Sequence, residues 1–161
     1  MPMQITASVD PVRSRTEART VNGQSIVMDA DAPEGDGVAA GPKETLLAAL
    51  AGCTAMDVAS ILRKKRQRAA SYEVAVSGDS ASEHPRVFTA ITVEHRVTGE
   101  VEPEPLRRSI ELSATQYCPV NAMLSAVARI EHRYHLTDAA GRVHEAVVAV
   151  IGPDRAIQVI A

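Results

Sequence analysis

Aromatic side chains are nearly missing from this chain. Its 161 residues include one Phe, three Tyr and no Trp. The core must therefore be built from Ala, Val, Ile, Leu and Met, and there is little with which to stack on nucleobases. Positive charge is not in excess either. The net charge of −3 gives no general attraction to nucleic acid or to an anionic membrane. No apolar stretch reads as long enough to span a bilayer. Met1 to Asp10 lacks the basic start and apolar core of a signal peptide. These absences lead to the expectation of a cytoplasmic protein with no nucleic-acid or membrane partner. Cysteine is scarce too, with Cys53 and Cys118 alone and no CxxC. In the cytoplasm a structural disulfide is uncommon, so such thiols are catalytic, redox-active or inert.

What is present is ordinary globular composition, 45% hydrophobic and 23% charged, and enough length for one domain over residues 1–161. Residues 3–9 alternate apolar and polar, as a half-buried strand does, and 25–29 form a second short strand. Residues 30–42, with Pro33, Gly35, Gly37, Gly41 and Pro42, read as a loop. From Glu44 to about Arg66 runs the strongest helix signal. An acid lies in its first turn and Arg63-Lys64-Lys65-Arg66 in its last. Its middle is apolar nearly all round, which predicts burial on most faces. Strands are expected at 72–78 and 87–97, and a helix from Leu106 to Ala114. Pro119 suits the first turn of a further helix reaching Val127. Strands at 130–137, 143–151 and 156–160 follow, so that residues 138–161 add a C-terminal β segment. This order predicts an α+β domain, with central helices packed between β-sheets.

The two cysteines differ in setting. Cys53 lies in the run Leu46-Leu47-Ala48-Ala49-Leu50-Ala51-Gly52-Cys53, where a thiol is readily a small core residue. Burial raises a thiol pKa, so a reactive Cys53 needs a cation from elsewhere in the fold. Asp57, one turn on, works the other way and reads as a structural hydrogen-bonding residue or surface contact. Cys118 precedes Pro119 at a helix start. There the helix dipole favours a thiolate, and a plain capping role is the alternative. His84, His95, His132, His135 and His144 form no metal-ligand spacing with either cysteine. His132 and His135, in a strand, point to opposite faces. No metal or cofactor is expected. The basic run Arg63 to Arg68 reads as a solvated helix end rather than a nucleic-acid site.

Two segments carry a family resemblance. Gly41-Pro42-Lys43-Glu44-Thr45-Leu46-Leu47-Ala48-Ala49-Leu50-Ala51-Gly52-Cys53-Thr54-Ala55-Met56-Asp57-Val58 resembles the helix-cysteine segment of the OsmC/Ohr superfamily, the osmotically inducible and organic hydroperoxide resistance proteins. Leu112-Ser113-Ala114-Thr115-Gln116-Tyr117-Cys118-Pro119-Val120 resembles its second cysteine segment. Pro85-Arg86-Val87-Phe88-Thr89 resembles a strand of the same family. The likeness spans about residues 22–136 and is closest to the YhfA-like branch.

The resemblance implies an intertwined homodimer that reduces small organic hydroperoxides through its thiols. It makes Cys53 the peroxidatic residue, passing through a sulfenic acid, and Cys118 the resolving partner in a disulfide that an external dithiol reopens. It also places an assisting acid at Glu44. Glu44 precedes Cys53 by nine residues, about 13 Å along a continuous helix and nearly half a turn away. It would therefore serve the Cys53 of a second chain, or simply complement its own helix start. The family's thiolate-stabilising arginine has no aligned counterpart here. Arg13, Arg15 and Arg19 are the candidates, each otherwise a solvated strand residue. Two other readings stay open. One is a non-enzymatic OsmC-like dimer that binds an apolar ligand between its subunits, and the other a structural dimer with inert cysteines.

Overall fold

A computed structural model describes residues 2–154 and 157–160 and has two compact units, one ending at Leu46 and the other beginning at Leu47. The first unit holds an antiparallel sheet of β1 (Ile5–Val9), β2 (Thr16–Thr20) and β3 (Ser25–Met28) in that order. β2 lies between the strands expected at 3–9 and 25–29. The register shows why it forms a strand. Ile5, Ala7 and Val9 stand opposite Thr20, Ala18 and Thr16, and Ala18 and Thr16 stand opposite Ile26 and Met28. Opposed residues share a face, so β2 turns Glu17 and Arg19 to the other side. The sheet is thus amphipathic, yet Ile5, Val9 and Ile26 are all exposed.

Helix α1 (Pro42–Lys64) is continuous and 23 residues long. It is long and apolar enough, by length and composition, to cross a membrane, contrary to the expectation from the sequence. Its Leu50, Thr54, Val58 and Leu62 nevertheless form a stripe at a spacing of four, buried in the protein core. The expectation of burial on most faces fails for the single chain. Ala48, Ala49, Gly52 and Met56 are exposed.

The second unit is built on a five-stranded sheet, ordered β4 (Arg68–Ser80), β5 (Phe88–Glu100), β6 (Arg129–Asp138), β7 (Val143–Ile151) and β8 (Ile157–Val159). The expected final strand began at Ala156, which lies outside the described residues. All neighbours are antiparallel except β5 and β6. A parallel pair needs a crossover. Here it consists of α2 (Pro103–Leu112), a π-helical turn (Ser113–Tyr117) and α3 (Pro119–Leu124). Both helices end before the expected Ala114 and Val127. The π turn stops α2 by sending the Cys118 N–H back to Ser113 O, 2.9 Å away.

The core has two apolar clusters. One gathers Val58, Leu62, Val97, Leu106, Ile110, Tyr134 and Leu136. The other gathers Leu50, Val93, Cys118 and Ile130, with Cys53 against it. Between them along three elements stands one polar residue: Thr54 between Leu50 and Val58, His95 between Val93 and Val97, and His132 between Ile130 and Tyr134. All three are fully buried. Ser113 and Asn121, from the crossover, are equally buried.

Candidate active site

The crossover brings Cys118 to Cys53 of α1. Cys118 is the N-cap of α3, extended at φ −74 and ψ 104, with Pro119 at the first helical position. Its Sγ donates a hydrogen bond to Cys53 Sγ at 2.7 Å, and the thiols are not covalently joined. Cys118 is buried and Cys53 is half-buried. The Asn121 N–H donates to Cys118 Sγ at 3.3 Å, the usual capping bond made with sulfur.

Asp57 completes the cluster. Its Oδ2 accepts from the Ser113 hydroxyl at 3.0 Å, which gives it the structural role expected from the sequence. Ser113 has one proton to give and the carboxylate takes it. Thr54 must therefore donate the bond it shares with Ser113 at 3.1 Å. The donor atoms of Cys53, Asp57 and Cys118 lie within 4.8 Å of one another, a grouping that could hold a metal ion. The sulfur spacing suits a disulfide better. At a zinc–sulfur bond of about 2.3 Å, sulfurs 2.7 Å apart subtend only about 70° at the ion, far below the tetrahedral angle.

Cys118 differs electrostatically from the thiolate its helix-start position suggests. Its pKa is pushed up to about 12, chiefly by burial and next by its bond to Cys53. The charges of Cys53 and Asp57 add to this, and the Asn121 N–H alone opposes it. A six-residue helix with one donated bond does not offset desolvation. Cys118 is a neutral thiol at pH 7.

The remaining candidates lie in the first unit. Glu44 Oε2 accepts the Gly41 N–H at 2.8 Å and so caps the start of α1. Arg15 pairs with Asp36 at 2.9 Å and with Asp29 at 3.8 Å, Arg13 with Asp36 at 3.4 Å, and Arg19 with Glu17 at 2.6 Å. Asp29 is buried and accepts from the Val38 and Ala30 N–H groups, which hold its carboxyl below the usual range.

Sequence reasoning overlooked Thr54, Ser113, Asn121, His95 and His132. A signal was there. His95 and His132 occupy inward positions of strands whose other inward residues are apolar, and Thr54 interrupts a stripe of Leu and Val. Metal-ligand spacing is not the property that marks these histidines.

Residues 34–133 match the family model for OsmC-like protein. The chain belongs to the OsmC-like family. It is 38% identical to Protein YhfA of Escherichia coli K12 over 121 residues, covering 74% of this chain and 88% of that one. An OsmC-like protein from Mycoplasma pneumoniae has the same fold, with a TM-score of 0.73 at 18% identity, over 84% of this chain and 97% of that one. An organic hydroperoxide resistance protein from Elizabethkingia anophelis superposes with a TM-score of 0.62 at 15% identity, over 86% and 96%. The expected α+β class is therefore the OsmC-like one, and both cysteines lie inside the family match.

Proposed function

We propose that this OsmC-like protein is a thiol peroxidase that reduces organic hydroperoxides. The observation that carries this reading is the Cys118-to-Cys53 contact at 2.7 Å, with Cys118 donating and Cys53 accepting. Sulfurs this close can join in a disulfide without a large movement of either helix. Cys53 sulfur attacks the distal peroxide oxygen, the O–O bond breaks, the alkoxide leaves and takes up the thiol's proton as an alcohol, and Cys53 becomes a sulfenic acid. Cys118 sulfur then attacks Cys53 sulfur, displaces water and closes the disulfide. An external dithiol reopens it by exchange, in a reducing, cytoplasmic setting.

A homodimer forms part of the same reading. The apolar face of the β1–β2–β3 sheet and the Met56 side of α1 are uncovered in the single chain, and a second copy would cover them. Glu44 of that copy would be the assisting acid, with one of Arg13, Arg15 or Arg19 released from its carboxylate to steady the thiolate. The present pairing of these arginines favours a second reading, a dimer that binds an apolar ligand without turnover. In the expected C-terminal segment, β7 and β8 extend the sheet of the one OsmC-like domain. The Elizabethkingia neighbour's name agrees with the first reading, but at 15% identity it speaks for the fold alone.

The test is a thiol count on reduced protein given one equivalent of cumene hydroperoxide. Loss of both thiols, with one intramolecular disulfide and one equivalent of cumyl alcohol, is expected. Unchanged thiols overturn the peroxidase.

A further inference from the structure

Four side chains in the core of the second unit are joined end to end, and the peroxide chemistry uses none of them. Tyr72 Oη meets His95 Nδ1 at 2.8 Å. His95 Nε2 faces His132 Nδ1 at 3.5 Å. His132 Nε2 meets Asn121 Oδ1 at 2.8 Å. Asn121 Nδ2 meets Ala114 O at 2.8 Å. The two histidines and Asn121 are completely buried.

The last of these contacts sets the direction of all the others. A backbone carbonyl only accepts, so Asn121 presents Nδ2 to Ala114 and leaves Oδ1 as an acceptor. His132 must then carry its proton on Nε2. Burial holds both histidines neutral, so His132 Nδ1 is an acceptor and takes the Nε2–H of His95. His95 Nδ1 accepts in turn from the Tyr72 hydroxyl, which burial keeps protonated. Every donor points one way, from Tyr72 toward Asn121. The order is therefore a single network and not a set of separate contacts.

The array ends at the resolving cysteine. Asn121 holds both flanks of Cys118. Its side chain pins Ala114, at the π turn, and its backbone N–H caps Cys118 Sγ. That N–H lowers the thiol pKa against the effects that raise it, so it also faces the charge that develops as Cys118 loses its proton before attacking.

We propose that the Tyr72–His95–His132–Asn121 array is a positioning device for Cys118, which holds the Asn121 amide on its sulfur and thereby sets the rate at which the Cys53–Cys118 bond closes. This rests on the disulfide of the proposed peroxidase cycle but not on a peroxide as its oxidant. His132 and Asn121 are positioning residues, since they act through the Cys118 sulfur's surroundings.

The test separates closure from peroxide chemistry. One thiol adds to the N=N bond of diamide and the other displaces it from sulfur as the hydrazine, so diamide reads disulfide formation with no peroxide step. Wild type, His132→Leu and His132→Gln are compared with diamide and with cumene hydroperoxide, at a temperature where circular dichroism shows each folded. His132→Leu, which deletes the donor to Asn121, is expected to close at least ten-fold more slowly with diamide. His132→Gln, whose Nε2 can still donate, is expected to recover to within about three-fold. With peroxide, dimedone is expected to trap more Cys53 sulfenate in His132→Leu than in wild type. Should His132→Leu not fold, Asn121→Asp, which loses the Nδ2–H to Ala114, takes its place with the same expected slowing. Closure by diamide within two-fold of wild type in the deleting variant overturns the proposal. So does slowing that His132→Gln shares in full. If peroxide oxidises no thiol while diamide closure depends on His132, the peroxidase reading falls and the positioning device stands.

Discussion

The two sheets of this chain follow opposite rules. The five-stranded sheet covers its inward residues with the stripe of α1 and with α2, and leaves Val93, Ile130, Leu136 and Leu106 with no exposed surface. The three-stranded sheet is just as clearly two-faced, yet Ala18 is the buried apolar side chain that it contributes. It is held by backbone ladders and carries surface pairs such as Arg19–Glu17, whose two side chains are 60% and 38% exposed. Amphipathic patterning states which face of a sheet wants cover. It does not state whether the chain itself supplies the cover.

The difference can be tested from either side. The largest effect is expected at the thiols. Cys53→Ser should abolish peroxide consumption, a loss of more than about 100-fold. Cys118→Ser should leave the first oxidation intact but stop at a sulfenic acid, read as a dimedone adduct by mass spectrometry. In the five-stranded unit, Leu106→Ala removes a fully buried side chain and should cost about 2–5 kcal/mol in urea unfolding.

Acid should act on the same unit. Burial lowers the His132 pKa from 6.5 to about 4 and that of His95 well below 6.5. The unfolded chain therefore binds more protons than the folded one within this window. Stability is complete above about pH 6.5 and falls as pH drops toward 4, by on the order of 3 kcal/mol for His132. Unfolding midpoints at pH 7 and pH 4.5 measure this, and His132→Gln should flatten the slope.

The three-stranded sheet should respond differently. Ile26→Ser, on its exposed apolar face, is expected to change unfolding of the separated chain by less than about 0.5 kcal/mol. It should nevertheless shift sedimentation toward monomer. An unchanged dimer would remove this face from the interface. Smallest of all, Arg19→Ala should cost less than about 0.5 kcal/mol, because its pair with Glu17 is exposed, screened and flexible.

Much of the second unit is legible in the sequence. Alternation in β5 and β6, and the proline at the start of α3, are local signals of the kind that short-range backbone sterics enforce. β2 is hidden because two of its five residues are charged and face outward. The π turn is hidden because its stop signal is a backbone bond from Cys118 to Ser113, which no side chain announces. Cys53 and Cys118 are visible as candidates. The network behind Cys118 is not, although His95 and His132 stand at inward positions of apolar strands.

By itself the sequence determined the family, most of the elements and the two thiols, since these depend on local periodicity and on motifs read in line. The tertiary structure alone decided that Cys118 meets Cys53 across 65 positions, that burial keeps Cys118 protonated, and that Asn121 ends a one-way chain of donors. Those facts depend on which groups share a dry interior. That is settled by the crossover between β5 and β6, not by neighbours along the chain.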